Sequence, residues 1–126
     1  MIFGIGTDIV RVNRMERNIH RFGDRFARRI LSAQEYQDYQ KAGQRAHFLA
    51  KRFAAKEATV KAMGTGFANG ITLKQISVDH DAAGKPELVL SGDAKSFLES
   101  KGITQLHISI ADEQDHAVAF VTLSTG

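Results

Sequence analysis

The stretch RFAAKEATVKAMGTG, residues 52–66, has the pattern of a helix that ends in glycines. An α-helix turns about 100° per residue, and on this wheel Leu49, Phe53 and Val60 form a stripe of large apolar side chains. A second arc of the wheel is rich in alanine, with Ala50, Ala54, Ala55, Ala58 and Ala62. Another backbone can approach such an arc closely. We therefore expect this helix to be packed on two sides.

Glu57 and Lys61 fall in the seam between these two arcs. An exposed i,i+4 ion pair, worth about 0.2–0.5 kcal/mol, is one interpretation of the two residues. In a seam, however, both charges lose solvation, which is costly unless a specific partner compensates for it. A metal ion for Glu57 and a phosphate for Lys61 are partners of that kind. The remaining side of the helix is expected to face solvent, with Arg52, Lys56 and Thr59.

The glycines after this helix have two interpretations. Gly64 is well placed to cap the helix C-terminus in a left-handed conformation. Alternatively, Gly64, Thr65 and Gly66 form a loop that allows the phosphates of a ligand to approach its backbone closely. Both interpretations require the same residues, so the sequence leaves them open.

Around this helix the pattern indicates an α+β fold. A short apolar strand is predicted at residues 2–10, and a helical pattern follows from Asn13 to Ile30 with a break at Gly23, where Asp24 could cap a second helix. Ser32 and Glu35 form a capping box. The helix that begins there is predicted to end near Gly43, and another is predicted at 45–63. The second half contains predicted strands at 71–81, 87–91, 106–112 and 116–124, a turn at 81–86 and a short helix at 93–101.

Composition limits the class of protein. The 126 residues are 43% hydrophobic and 25% charged, as in an ordinary folded domain, and we expect one domain over residues 1–126. The chain has no cysteine, which excludes disulfides and thiolate metal sites. No signal peptide is predicted, and no apolar run approaches the roughly 20 residues of a membrane helix. These features favour a cytoplasmic protein without a membrane partner.

The charge is distributed unevenly along the chain. Residues 1–63 carry 13 Lys and Arg against 6 Asp and Glu, a net +7, whereas residues 64–126 carry 4 against 8, a net −4. Seven arginines lie between Arg11 and Arg29. A solvated basic face, an acidic protein partner and a nucleic-acid backbone are the three interpretations of this arrangement. Because Phe22 and Phe26 are predicted on the core face, exposed aromatics for nucleic-acid bases are lacking, and the acidic second half also disfavours nucleic acid.

Two further positions carry polar groups of interest. Asp8 follows a short apolar strand, and it could cap the turn into the first helix or supply a second hard oxygen ligand beside Glu57. Two carboxylates with substrate phosphates are a common way to hold Mg²⁺. His107 and Ser109 alternate with apolar residues and therefore share one strand face. A partly buried structural histidine is the default interpretation, and a phosphate contact is the alternative.

Four segments together resemble the holo-[acyl-carrier-protein] synthases, the small bacterial 4'-phosphopantetheinyl transferases. They are GIGTDIV at 4–10, FLAKRFAAKEATVKAMGTG at 48–66, GKP at 84–86 and HISIAD at 107–112. The most specific part is Gly6-x-Asp8 combined with Phe53-x-x-Lys56-Glu57-Ala58-x-x-Lys61. The resemblance extends over essentially the whole chain and implies the α+β fold of that family.

The resemblance implies an activity and a set of site residues. The family transfers 4'-phosphopantetheine from coenzyme A to a serine of acyl carrier protein, for fatty acid biosynthesis, and releases adenosine 3',5'-bisphosphate. Asp8 and Glu57 match the family's Mg²⁺ ligands, and Lys61 matches the lysine at the reacting phosphate. Glu57 is also implied, through a metal-proximal water, in removing the serine proton. The implied coenzyme A contacts are Arg45, Arg52, Lys61, Gly64, Thr65, Gly66, Lys85, Pro86 and His107.

The resemblance also implies partners. Arg14, Arg21 and Arg25 match the helical region that receives the acidic recognition helix of the carrier protein. The family is typically trimeric with active sites at subunit interfaces, so Lys85, Pro86 and His107 are expected to serve a neighbouring subunit. One local departure follows HISI, where many members have a Thr-His or Ser-His pair and this chain has Ala111, Asp112 and Glu113. No role is therefore assigned to a second histidine.

Overall fold

The computed structural model describes all 126 residues. A 3₁₀ turn spans Leu73–Gln75. None of the helices is both long and apolar enough to cross a membrane. The elements in chain order are β1 (Ile2–Arg11), α1 (Val12–Phe22), α2 (Asp24–Ile30), α3 (Ala33–Lys41), α4 (Arg45–Met63), β2 (Ile76–His80), β3 (Pro86–Leu90), α5 (Gly92–Ser100), β4 (Ile103–Asp112) and β5 (His116–Thr125).

The strands form two antiparallel sheets. One sheet has the order β1-β5-β4, with β1 at an edge, and the other consists of β2 and β3. Four of the five helices lie in the first half and four of the five strands in the second. The predicted α+β class is therefore confirmed, as are the bounds predicted for α4.

The start of α3 also confirms the sequence pattern. The Ser32 hydroxyl accepts a hydrogen bond from the Glu35 amide at 3.3 Å, and the Glu35 carboxylate accepts one from the Ser32 amide at 2.9 Å. This is the predicted capping box. The break at Gly23 is likewise present, with φ of 64°. Asp24 is not the cap, however, because Gly23 occupies that position and Asp24 is the first residue of α2.

Helix α4 packs on the three-stranded sheet through the alanine arc, with β1 closest. A Cβ added to Gly6 would lie 1.9 Å from the Ala58 carbonyl oxygen, and one added to Gly4 would lie 1.9 Å from the Ala62 oxygen. All five alanines of the arc are buried. The expected close approach of a second backbone is thus confirmed, and β1 supplies that backbone.

We expect Gly6→Ala to lower the free energy of unfolding by about 1–3 kcal/mol, because the new methyl would meet helix backbone that cannot swing aside. Urea unfolding followed by circular dichroism measures the change. Gly43→Ala is the matched control, since nothing lies within 4 Å of a Cβ there. If both variants were as stable as the parent chain, the close contact between β1 and α4 would be refuted.

The prediction that Arg52, Lys56 and Thr59 face solvent is wrong. Their exposed fractions are 5%, 0% and 0%, because α3 and β2 cover that side of α4. The Lys56 ammonium donates to Glu35 Oε1 at 2.6 Å, to the Ile76 carbonyl at 2.6 Å and to the Leu73 carbonyl at 3.0 Å. Burial lowers the pKa of Lys56, and the Glu35 carboxylate opposes that shift. The third side of α4 is therefore buried as well, and its lysine is paired with the carboxylate of Glu35.

The predicted strand at residues 71–81 is only partly formed. Residues 73–75 turn as a 3₁₀ helix, and β2 begins at Ile76. The Leu73 carbonyl accepts hydrogen bonds from both the Ile76 amide and the Lys56 side chain. The hydrogen bond from Lys56 of α4 thus favours a turn at this carbonyl over an extended backbone.

One face of the three-stranded sheet carries no helix. Alternate residues of β5 are fully buried toward α4, whereas the residues between them point away from it. Ile5, Ile9, Val118 and Phe120 are exposed on that outer face, by 55%, 65%, 37% and 48% respectively. This outer sheet face is therefore largely apolar and uncovered within one chain.

Candidate functional site

Asp8 lies on β1, on the strand face that packs against α4. Its Oδ1 accepts a hydrogen bond from Lys61 Nζ at 3.0 Å, and the same Nζ donates to the Thr7 carbonyl at 3.0 Å. The exposed fraction is 17% for the Asp8 side chain and 53% for that of Lys61. Lys61 is therefore less enclosed than the helical wheel predicted. The helix-cap interpretation of Asp8 is wrong, because Arg11 is the N-cap of α1.

Glu57 lies one helical turn before Lys61 and is half-buried. Its pKa is raised above the ordinary value, first by burial and then by the nearby Asp8 carboxylate, while Lys61 and Arg14 oppose the shift. The predicted alternative of an i,i+4 ion pair is wrong, because Lys61 pairs with Asp8 and Glu57 has no ion-pair partner. Of the two neighbouring carboxylates, only Asp8 is therefore paired with the lysine.

The donor set of this site fits a hard divalent cation. Asp8 and Glu57 offer carboxylate oxygens, and the mutual repulsion of the two groups favours a cation between them. No group of three or more His, Asp or Glu residues in the chain could hold a metal. A cation bound by these two carboxylates would therefore take its other ligands from water and from a substrate, as Mg²⁺ commonly does with phosphates.

The glycine-rich segment follows Lys61 by one turn. Gly64 adopts the left-handed conformation with φ of 78°, and its amide donates to the Val60 carbonyl at 3.0 Å. The helix-cap interpretation is therefore confirmed. The amides of Thr65 and Gly66 also point toward the Val60 oxygen, at 3.3 and 3.4 Å. Phosphate binding by this segment stays a prediction.

Two predicted coenzyme A contacts have other partners within one chain. Arg45 begins α4, about 24 Å from Lys61 at 1.5 Å per residue. Its guanidinium covers the Tyr39 ring at 5.1 Å and donates to the Gln40 carbonyl at 3.2 Å. Arg52 is buried over the Phe48 ring at 4.3 Å, beside Glu35. The structure does not bring either arginine to Asp8.

Lys85, Pro86 and His107 form a second group. They line one surface cleft of the chain, between β3 and β4. His107 lies on the outer sheet face and is exposed, so the default of a partly buried histidine is wrong, although its shared face with Ser109 is confirmed. Strand β4 is separated from β1 by β5. This cleft and Asp8 therefore lie on different parts of the sheet.

The arginines of α1 and α2 are all exposed, and none has a carboxylate within 4 Å. Aromatic rings hold several of them in place: Arg14 lies over Phe53 at 5.4 Å and Arg21 over Phe22 at 5.1 Å. Phe22 is 51% exposed, so its predicted place on the core face is wrong. It ends α1, where Gly23 turns the chain away. The face thus combines unpaired positive charge with one exposed aromatic ring.

The family model of the 4'-phosphopantetheinyl transferase superfamily matches residues 4–121. The match includes Asp8, Glu57 and Lys61.

The chain belongs to this superfamily.

Other members of the superfamily match the full length of the chain. The holo-[acyl-carrier-protein] synthase of Halorhodospira halophila is 50% identical over 126 residues, which is 100% of each protein. A crystal structure of the Neisseria meningitidis synthase has a TM-score of 0.92 and 46% identity, and it covers 99% of this chain and 100% of its own. The Bacillus anthracis synthase, solved in complex with coenzyme A (3',5'-ADP), has a TM-score of 0.83 and 36% identity, with 100% and 99% coverage.

Two features beside the superfamily's motif residues were not predicted from the sequence. Arg14 was expected only at a partner surface, yet it also acts on the pKa of Glu57. Glu35 was recognised only as a helix cap, yet it is fully buried and paired with Lys56. The capping box predicted the bonds of Glu35 to Ser32 but not its burial or its pairing. No pattern in the sequence connects Glu35 to a lysine 21 residues away.

Proposed function

We propose that this chain transfers 4'-phosphopantetheine from coenzyme A to a serine hydroxyl of apo-acyl carrier protein, giving holo-acyl carrier protein. The observation that supports this most is the meeting of Asp8, Glu57 and Lys61 in a chain that matches holo-[acyl-carrier-protein] synthases from end to end. The reaction forms a bond between the serine oxygen and a pyrophosphate phosphorus of coenzyme A. The attacked phosphorus is the one that carries the pantetheine, and its bond to the oxygen that bridges the two phosphates breaks. Adenosine 3',5'-bisphosphate leaves with that oxygen, and the serine proton passes to a base.

The two carboxylates fit Mg²⁺ as the resident metal. Asp8 and Glu57 would hold it, with pyrophosphate oxygens and water as the remaining ligands. When bound, Mg²⁺ supplies charge neutralisation for the pyrophosphate during transfer. Glu57 is then placed to hold a water that receives the serine proton. Its lack of any ion-pair partner within the chain leaves it available for that role.

Lys61 and the glycines after it are proposed to bind the coenzyme A phosphates. The lysine is half-exposed and reaches Asp8 at 3.0 Å, so its ammonium stands at the edge of the same site. A lysine at this position stabilises negative charge that develops on a transferred phosphoryl group. Gly64, Thr65 and Gly66 extend the binding surface from the end of α4, where nothing lies within 4 Å of a Cβ added to either glycine and a ligand can approach.

We further propose a homotrimer in which neighbouring subunits complete each site. The apolar outer sheet face needs a partner, and a second copy of the chain is the partner that the family resemblance implies. His107 lies on that face, and Lys85 and Pro86 line the same cleft. A neighbour's copy of this cleft would then supply coenzyme A contacts that one chain does not bring to Asp8. A monomeric mass in analytical ultracentrifugation would refute this assembly.

Incubation of the protein with apo-acyl carrier protein, coenzyme A and Mg²⁺ tests the proposed activity. Mass spectrometry should show the carrier gaining one phosphopantetheine group, and a carrier whose target serine is replaced by alanine should gain nothing. If the natural carrier also gained no mass, the proposed function would be wrong. The cytoplasmic location expected from the sequence stays a prediction.

The unpaired arginine face is proposed to dock the acidic carrier protein through Arg14, Arg21 and Arg25. We expect Arg25→Glu to raise KM for the carrier on the order of 10-fold and to leave KM for coenzyme A nearly unchanged, because charge reversal opposes an acidic partner. The effect should shrink as salt rises. Steady-state kinetics with each substrate varied in turn measures both constants.

Lys95→Glu is the control for this prediction. It reverses one exposed charge on α5, away from α1 and α2, and should leave both KM values unchanged. Equal changes of the two KM values in Arg25→Glu would exclude a docking role for that face.

A further inference from the structure

The loop at residues 64–72 is bonded to α4 at its start, where the amides of Gly64, Thr65 and Gly66 donate to the Val60 carbonyl, and the rest of the loop has few internal restraints. It joins α4 to the 3₁₀ turn, and positive φ angles occur at Gly64, Gly66, Asn69 and Gly70. Only Ile71 is buried, and most of the other residues are exposed. A loop with so little buried surface opens readily unless hydrogen bonds to fixed elements hold it.

The side-chain amide of Gln75 supplies such bonds. Its Nε2 donates to the Gly70 carbonyl at 3.0 Å, near the middle of the loop. Its Oε1 accepts from the Thr72 amide at 3.4 Å and from the Ala94 amide at 3.1 Å. One side chain therefore joins two points of the loop to helix α5.

Helix α5 in turn provides a fixed platform for the loop. Its N-cap residue, Ser91, makes no side-chain cap hydrogen bond, so Gln75 Oε1 satisfies the Ala94 amide instead. The Ser91 amide donates to the Gln75 carbonyl at 2.9 Å. The Asp93 carboxylate lies against Gly70, where an added Cβ would be 2.2 Å from Oδ2. The loop is thus docked on the first turn of a helix whose Ala94 is fully buried.

We infer that Gln75 is a positioning residue that holds the glycine loop in the conformation that binds coenzyme A. The inference rests on the proposed contact of Gly64, Thr65 and Gly66 with the coenzyme A phosphates. When a loop leaves its binding conformation part of the time, apparent affinity falls in proportion to the competent fraction. Gln75 does not touch the substrate itself in this proposal, so it acts through the loop alone.

Gln75→Glu separates the two functions of this side chain. The carboxylate keeps both acceptor bonds, including the cap of α5, but replaces the donor to the Gly70 carbonyl with an oxygen that repels it. We expect KM for coenzyme A to rise about 3- to 10-fold, as for the loss of one hydrogen bond, with KM for the carrier unchanged. The amides of Gly66 and Ile71, which donate to the Val60 and Ala68 carbonyls, should exchange about 10-fold faster, while α5 keeps its protection.

Ala94→Gly is the matched control, because it weakens α5 but keeps the amide that bonds to Gln75. It should lower Tm without raising KM for coenzyme A. If KM rose in both variants in parallel with the loss of Tm, Gln75 would be merely structural and the inference would be wrong.

The exchange measurement also separates this inference from the proposed function, since it needs no coenzyme A. Unchanged exchange at the amides of Gly66 and Ile71 in Gln75→Glu would overturn the clamp, even in a chain that transfers phosphopantetheine normally. Faster exchange in a chain without transferase activity would instead retain the clamp and refute the coenzyme A role assigned to the loop.

Discussion

Asp8→Ala is expected to reduce kcat/KM for phosphopantetheine transfer by at least about 100-fold, and Glu57→Ala by a similar factor. Each change removes one of the two carboxylates proposed to hold Mg²⁺, and no group of three or more His, Asp or Glu residues in the chain could hold a metal in their place. Transfer to the carrier, followed by mass spectrometry over a Mg²⁺ titration, measures the loss. Chelation of the metal should abolish the parent activity, and added Mg²⁺ should restore it.

Two controls keep this result interpretable. Glu99→Ala removes an exposed carboxylate from α5 and should retain full activity. Circular dichroism should show that both inactive variants keep the parent secondary structure, because Asp8 and Glu57 are only partly buried. A near-normal rate in either variant, at any Mg²⁺ concentration, would remove that residue from the proposed metal site.

Lys56→Met is expected to lower the free energy of unfolding by about 3–5 kcal/mol, the usual result of removing one partner from a buried ion pair. The ammonium is fully buried and bonds to Glu35 and to two backbone carbonyls. Its removal leaves the Glu35 carboxylate buried without its closest countercharge. The second cation, Arg52, approaches that carboxylate only to 3.7 Å. Urea unfolding followed by circular dichroism measures the loss.

The double variant Lys56→Met/Glu35→Gln tests the cause of that loss. A neutral glutamine removes the uncompensated charge and keeps an acceptor for the capping-box amide of Ser32. Its NH2 group replaces the oxygen that accepts from the Val78 amide, so the double variant should recover only part of the stability. Lys51→Met, on the same helix but partly exposed, should cost less than about 1 kcal/mol. If the double variant were less stable than Lys56→Met, uncompensated charge would not be the cause.

The sequence predicted local features well where one segment contains the whole signal. The bounds of α4 follow from apolar periodicity and a terminal glycine, and the cap of α3 follows from Ser32 and Glu35 alone. The close approach of a second backbone also followed from the alanine arc. The identity of that backbone did not, because the pattern of α4 cannot distinguish β1 from any other strand.

Long-range pairing explains the errors. Lys56 has the periodicity of a solvent-facing residue. Its burial depends on Glu35 and on the Leu73 and Ile76 carbonyls, which lie in other segments of the chain. The hydrogen bond from Lys56 to the Leu73 carbonyl also favours the 3₁₀ turn at residues 73–75 over the predicted strand. At the candidate site, the wheel found the seam at Glu57, but the choice of Asp8 over Glu57 as the partner of Lys61 is decided by the position of β1. Phe22 became exposed because the chain turns at Gly23.

The contact between Gly6 and Ala58 has a thermodynamic consequence for the proposed metal site. Asp8 belongs to a strand at the sheet edge and Glu57 to the central helix, so the two ligands lie 49 positions apart and meet only when that strand is docked. Cation binding and strand docking are then linked equilibria: Mg²⁺ at 100 times its Kd would stabilise the docked state by about 2.7 kcal/mol. Fraying of β1 would therefore separate the two proposed ligands and weaken cation binding at the same time as it opened the contact with α4.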